Sequence, residues 1–169
     1  SRGILLNGGQ VLVDGAAEAA IARYLQEGIP VGEADGIDKV ISGLPVDPTF
    51  RLERVTLLQN GNTVRGIVEN GCPLELEMQY HVFEKTVGLR GYFDLTDDQE
   101  LLIFRSFNDE DREGIPTVEP GMYVTRAVIP MNLLGPIRYT VNVGAGIHNI
   151  RSCLPDGVVR TSFDVHHTS

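Results

Sequence analysis

At 169 residues and 18.5 kDa, with 42% hydrophobic and 22% charged residues, the chain has the length of one domain and enough apolar material for a packed core, which excludes a disordered polymer. Fourteen Lys and Arg against twenty-three Asp and Glu leave a net charge of -9, the wrong sign for binding nucleic acid phosphates or an anionic membrane surface. No apolar run approaches the roughly 20 residues of a spanning helix, and the opening Ser1-Arg2-Gly3-Ile4 lacks a signal-peptide layout, so a soluble cytoplasmic protein is expected.

Along the chain, Ile4 to Val13 reads as two short strands joined by a hairpin at Asn7-Gly8. Ala16 to Leu25 follows with high helix propensity and an apolar stripe at Ile21, Tyr24 and Leu25, ended by Gly28 and Pro30. Residues 1–27 are thus a β-β-α appendage. From 28 to 49 the composition is that of a linker, rich in Gly, Pro and acids. Residues 50–169 change texture to short alternating runs separated by turn residues, with no helix. Strands are expected at 51–59, 62–69, 73–84, 88–95, 100–107, 121–129, 137–146 and 158–165, with turns at Asn60-Gly61, Asn70-Gly71, Glu119-Pro120-Gly121 and Pro155-Asp156-Gly157. The fold class is all-β, an antiparallel two-sheet sandwich of the Ig-like or jelly-roll-like kind carrying that appendage.

Side chains alternate along a strand, so the pattern also assigns faces. Leu74, Leu76, Met78, Tyr80 and Val82 point inward, as do Leu89, Gly91, Phe93 and Leu95, and Tyr139, Val141, Val143 and Ala145. The residues between them point outward. One outer surface is therefore expected to gather Gln79, His81, Phe83, Arg90, Tyr92, Asp94 and Asn142. Planar aromatics beside directional polar groups suit a sugar, which offers C–H faces and hydroxyls; a solvated sheet face gives the same pattern.

Signatures of catalysis are missing: no GxSxG, no Walker A, no HExxH, and no GxGxxG opening a helix. Asp109-Glu110-Asp111-Arg112-Glu113-Gly114 starts like a calcium loop, but the twelfth position is Pro120 where an EF-hand needs Glu. Asp94, Asp97, Asp98 and Glu100 form an acidic turn of the kind that is usually solvated. Glu75, Glu77 and Asp94 raise a glycosidase alternative, since that chemistry takes two carboxylates about 5–10 Å apart, yet outward acids on strands are commonplace. Cys72 and Cys153 have no ligand spacing, and Gly144-Ala145-Gly146 reads as a strand bend. No metal site and no cofactor are expected. Twelve Arg against only Lys39 and Lys85 favours planar bidentate donors, though a GC-rich genome gives the same skew.

Two stretches carry a family resemblance. Residues 2–25, from Arg2-Gly3-Ile4-Leu5-Leu6 to Ile21-Ala22-Arg23-Tyr24-Leu25, resemble the end of an ABC-transporter nucleotide-binding domain, without its P-loop, signature motif or Walker B. Residues 50–165 resemble the C-terminal carbohydrate-binding domain of Wzt-type ATP-binding subunits of polysaccharide (O-antigen) ABC exporters. That likeness is carried by Phe104-Arg105-Ser106-Phe107-Asn108-Asp109-Glu110-Asp111, Glu119-Pro120-Gly121-Met122-Tyr123, Ile129-Pro130-Met131-Asn132-Leu133-Leu134 and Ile137-Arg138-Tyr139-Thr140-Val141-Asn142-Val143, in the family's order. Gly135-Pro136-Ile137-Arg138-Tyr139 departs from the family's Pro-Gly-Arg-Tyr.

The resemblance implies a non-catalytic sandwich that binds the capped non-reducing end of a lipopolysaccharide O-antigen in the cytoplasm. It would sit at the inner face of the inner membrane through the transporter's membrane subunit, coupling chain completion to export. It also implies a homodimer made by exchanging a C-terminal strand, here 158–165. With no Trp in the chain, stacking falls to Tyr92 or Phe83. An anionic cap would engage Arg90 or Arg105, and a neutral one Gln79, Asp94 and Asn142. The other function class is a structural dimerisation domain of the ATPase subunit, whose outer face would be ordinary surface.

Overall fold

The structure is a computed structural model that describes residues 34–108 and 113–167. The β-β-α appendage expected over 1–27 and the Asp109–Arg112 start of the calcium-like loop lie outside the described residues. One helix, α1 (Ala34–Ser42), precedes twelve strands: β1 (Phe50–Gln59), β2 (Asn62–Thr63), β3 (Ile67–Glu69), β4 (Leu74–Val82), β5 (Thr86–Val87), β6 (Leu89–Thr96), β7 (Leu102–Phe107), β8 (Thr117–Val118), β9 (Gly121–Ile129), β10 (Arg138–Ile147), β11 (Arg151–Ser152) and β12 (Arg160–His166). They form an all-β sandwich. One sheet has the order β2-β1-β4-β9 and the other β3-β12-β10-β6-β7, with β11 on β10 and a separate β5-β8 pair. All pairings are antiparallel except β12 with β3.

The alternation places the core as expected. Every second residue of β4 and β6 is buried, and Leu76, Met78, Val82, Phe93 and Leu95 are wholly enclosed with Val141 and Phe163 in one apolar cluster. Tyr80 stacks between Phe50 and Tyr123 at ring separations of 5.1 and 5.5 Å. Buried Gln59 ties the sheets together: its Nε2 donates to the carbonyls of Glu69 and Cys72, and its Oε1 accepts the Glu69 amide. Each polar atom of that side chain has a partner, which is what a buried amide requires.

Two expectations need correction. The stretch 62–69 is not one strand: β2 pairs with β1 and β3 with β12 in the other sheet, and Gly66, at φ 87°, makes the crossing. Positive φ is cheap for Gly alone among the residues there. Nor is 28–49 uniformly linker, because α1 occupies 34–42 within it. Ile37, Val40 and Ile41 stand at helical spacing and pack on the core, while Leu44 and Val40 cover Val158. The flanking Gly and Pro residues outweigh so short a stripe when composition is read over the whole segment.

Strand β1 also holds a bulge. Its apolar positions run Phe50, Leu52, then Val55 and Leu57, a step of three where two is regular. The register on β4 accordingly jumps between Leu52 and Arg54. Glu53 is the extra residue, and with it Arg54 stays outside the core.

Candidate functional site

The outer face of the larger sheet brings together five of the eight expected site residues. In the ladder, Asp94 of β6 stands opposite Asn142 of β10 on one side and Arg105 of β7 on the other. Residues directly opposite on one face lie close enough for side chains to meet. Arg105 Nε donates to Asp94 Oδ1 at 2.5 Å and Nη2 to Oδ2 at 2.6 Å, a bidentate pair. The same guanidinium lies 4.4 Å from the centroid of the Tyr92 ring. Tyr92 in turn meets Phe107 at 5.7 Å, and Arg90 reaches over Phe107 at 5.8 Å while donating to the Gly114 carbonyl.

Electrostatics follow from that geometry. The Asp94 hydrogen bond raises the Arg105 pKa further above its ordinary value, and burial raises the Tyr92 phenol, with Arg105 opposing. Tyr92 therefore keeps its proton through neutral pH and has an O–H to donate. A guanidinium has five N–H groups, of which Asp94 takes two; carboxylate oxygens likewise keep lone pairs to spare. The ion pair is neutral as a unit and still offers donors and acceptors side by side. Such a surface suits hydroxyl groups, which give and take at one atom.

Three contributors escaped sequence reasoning. Phe107 belongs to the site because it pairs with Tyr92 across the ladder. Gly144 is no bend: it lies opposite Tyr92, and a Cβ there would stand 2.0 Å from the ring's Cζ, so its missing side chain makes the ring's seat. Asp156, in the Pro155-Asp156-Gly157 turn, is near enough to act on both Tyr92 and Arg105. The signal for the first two was available only as cross-strand register, which one sequence does not state.

Gln79, His81 and Phe83 are not on this face. They belong to β4 and its end, in the other sheet, so the single outer surface expected from alternation is in fact two surfaces on opposite sides of the sandwich. Alternation separates inside from outside and cannot say which sheet a strand joins. There His81 and Phe83 form their own small group, rings 4.4 Å apart, with Arg51 over Phe83 at 5.4 Å; Gln79 stands opposite Arg54 and Val124. The same separation divides Glu75 and Glu77 from Asp94, and Glu77 is occupied by Arg126 at 2.7 Å. Asp94 therefore cannot flank one glycosidic bond with either. In the acidic turn, Asp97 Oδ1 accepts the amides of Gln99 and Leu101, which is turn capping.

No family model matches the chain, and no curated protein matches it. Among solved structures it is similar to the C-terminal domain of Wzt, with a TM-score of 0.55 at 10% identity over 73% of this chain and 77% of that one. Weaker likenesses are a Niemann-Pick type C2 protein from the Japanese carpenter ant (TM-score 0.45, 4% identity, 73% of this chain and 97% of that one) and an alkylpurine DNA glycosylase, AlkC, of Pseudomonas fluorescens (0.44, 11%, 90% and 40%). Those two lie below the level at which a shared fold is read. The chain has the fold of the C-terminal domain of Wzt. Among the described residues no helix is long and apolar enough to cross a membrane.

Proposed function

We propose that the chain is a non-catalytic carbohydrate-binding module that reads the capped non-reducing end of an O-antigen polysaccharide and couples chain completion to ABC-transporter export. The observation that supports this most is the Tyr92, Asp94, Arg105, Asn142 constellation on one exposed sheet face, on a sandwich similar to the C-terminal domain of Wzt. Arg105 and Asp94 supply paired donors and acceptors, Asn142 an amide, and Tyr92 with Phe107 a planar apolar surface for C–H groups. Arg90 adds the positive charge that an anionic cap would meet. In this reading residues 1–27 are the end of the nucleotide-binding domain, and the module works at the cytoplasmic face of the inner membrane beside the transporter's membrane subunit.

Arg105→Ala tests the assignment. It removes one arm of the face and strands Asp94, so affinity for the capped polysaccharide should fall at least about tenfold, the scale of one charge-assisted contact. Unchanged affinity in a folded variant would refute this use of the face.

A second reading, a structural dimerisation domain, draws on a different observation. Strand β7 ends its sheet among the described strands; Leu102 and Ile103 open it at 55 and 48% exposure, and Leu101 just before it is 61% exposed. An apolar edge of that kind invites pairing with another chain. The strand-exchange dimer we propose would use 158–165 instead: β12 lies between β10 and β3, and the same ladder can be made by a partner's β12. Sedimentation of the chain at rising concentration gives its oligomeric state. Cysteine pairs across β10 and β12 then report whether that ladder joins two chains.

A further inference from the structure

Beyond the Tyr92 cluster the outer face of the larger sheet continues across β10 to β12. Arg105 of β7, Asp94 of β6, Asn142 of β10 and Arg160 of β12 stand opposite one another in turn, so their side chains form one row on one face. Burial agrees: Asn142 and Arg160 are half-buried, while their chain neighbours Val141, Val143, Val159 and Thr161 are enclosed. The row is about 14 Å long, three interstrand steps of about 4.8 Å, roughly the length of three linked pyranose rings. About 7 Å further along the strands runs a second row, Thr96, Thr140 and Ser162, in which every residue carries a hydroxyl.

The two ends of the first row differ. Arg105 and Asp94 satisfy each other, whereas neither the Asn142 amide nor the Arg160 guanidinium has a hydrogen-bond or ion-pair partner among the described residues. Arg105 and Arg138, on the same face, each hold a carboxylate by two bonds. Arg160 instead faces an amide, which leaves its five N–H groups open to a ligand. In the second row Thr140 Oγ1 and Ser162 Oγ share one hydrogen bond at 2.8 Å and keep lone pairs for others. Both rows are polar throughout, so what lies along them must be extended and rich in hydroxyls.

We propose that this row is a track for three consecutive sugar residues, with the terminal ring at Tyr92, Asp94 and Arg105, the second over Asn142 and the third held by Arg160. The proposal rests on the outer-face reading and adds to it the length of polymer that is read and the residue that reads its far end. Tyr92 and Phe107, the rings of this cluster, fix the terminal position. Among the described strands β7 ends the sheet, while β3 continues it beyond β12, so the polymer leaves on the β12 side. The register of β12 on β10 puts Arg160 in the row whether β12 belongs to this chain or to an exchanging partner.

The test is calorimetric titration of the whole chain with capped fragments of one, two, three and four sugar residues, cut from the polysaccharide of its own strain and retaining the non-reducing end. Affinity should rise with each residue to the third, the last step by about tenfold, the scale of one charge-assisted contact, and level off at the fourth. In Arg160→Gln the gain at the third residue should vanish, and Arg105→Ala should weaken every fragment. Asn142→Ala should lose the gain at the second residue, an independent reading should the Arg160 variant misfold. No gain at the third residue in the parent, or a gain kept in folded Arg160→Gln, would overturn the track and leave the outer-face reading standing. Failure of the parent to bind any fragment would overturn both.

Discussion

Tyr92 lies across Gly144 so closely that the smallest added side chain would collide with the ring. Gly144→Ala must therefore displace Tyr92 from its place beside Arg105, at a cost of about 1–3 kcal/mol for overpacking. Thermal unfolding should show the loss, and ring-proton shifts of Tyr92 should show the displacement; an unmoved ring would mean that the strand, not the side chain, had given way. Asp47 makes a different kind of claim. Burial raises its carboxyl, but hydrogen bonds from Arg151 and from the amides of Thr49 and Phe50 more than offset this and hold it below the ordinary carboxylate value. Asp164 is lowered as well, through Arg138. A lowered folded value means stability that is present above the unfolded value near 4 and is lost as pH falls through the folded one. Resistance to urea should thus fall below about pH 4. Asp47→Asn should cost about 2 kcal/mol at neutral pH and flatten that acid limb. Cys153, pushed up to about 11 chiefly by burial, stays a protonated thiol throughout.

At the scale of elements, β1 and α1 carry the lessons. Deleting Glu53 turns Phe50, Leu52, Val55 and Leu57 into a regular period of two facing the same partners on β4. The variant should fold with a melting temperature within about 4–8 °C of the parent, the shift that about 1 kcal/mol makes in a small domain; a collapse of the transition would show that the bulge is required. Ile41 of α1 is buried against the core, so Ile41→Ala should destabilise by about 2 kcal/mol in urea titration, the low end for a core truncation because the helix lies at the surface. An unaltered midpoint would mean that α1 only rests on β1. Here sequence reading did well on strands of strict alternation and poorly on short features. The bulge was visible as a three-residue step but hides in a run that reads as strand either way. The helix was missed because a nine-residue stripe between Gly and Pro looks like linker by composition.

For the whole molecule, the sandwich and its core were legible because both rest on a local period of two. The site was only half legible, since Arg90, Tyr92, Asp94 and Asn142 share a face but Gln79, His81 and Phe83 lie on the opposite one. Sheet membership is a long-range property, set by which strands pair, and nothing in one strand encodes it. The constellation on the larger sheet is what the proposed function stands on. The direct measurement is a calorimetric titration of the chain with the capped polysaccharide of its own strain and with the same polymer lacking the cap, repeated on Arg105→Ala. The account predicts saturable binding of the capped polymer alone, weakened at least about tenfold in the variant. Equal binding of both polymers, or of neither, would contradict it.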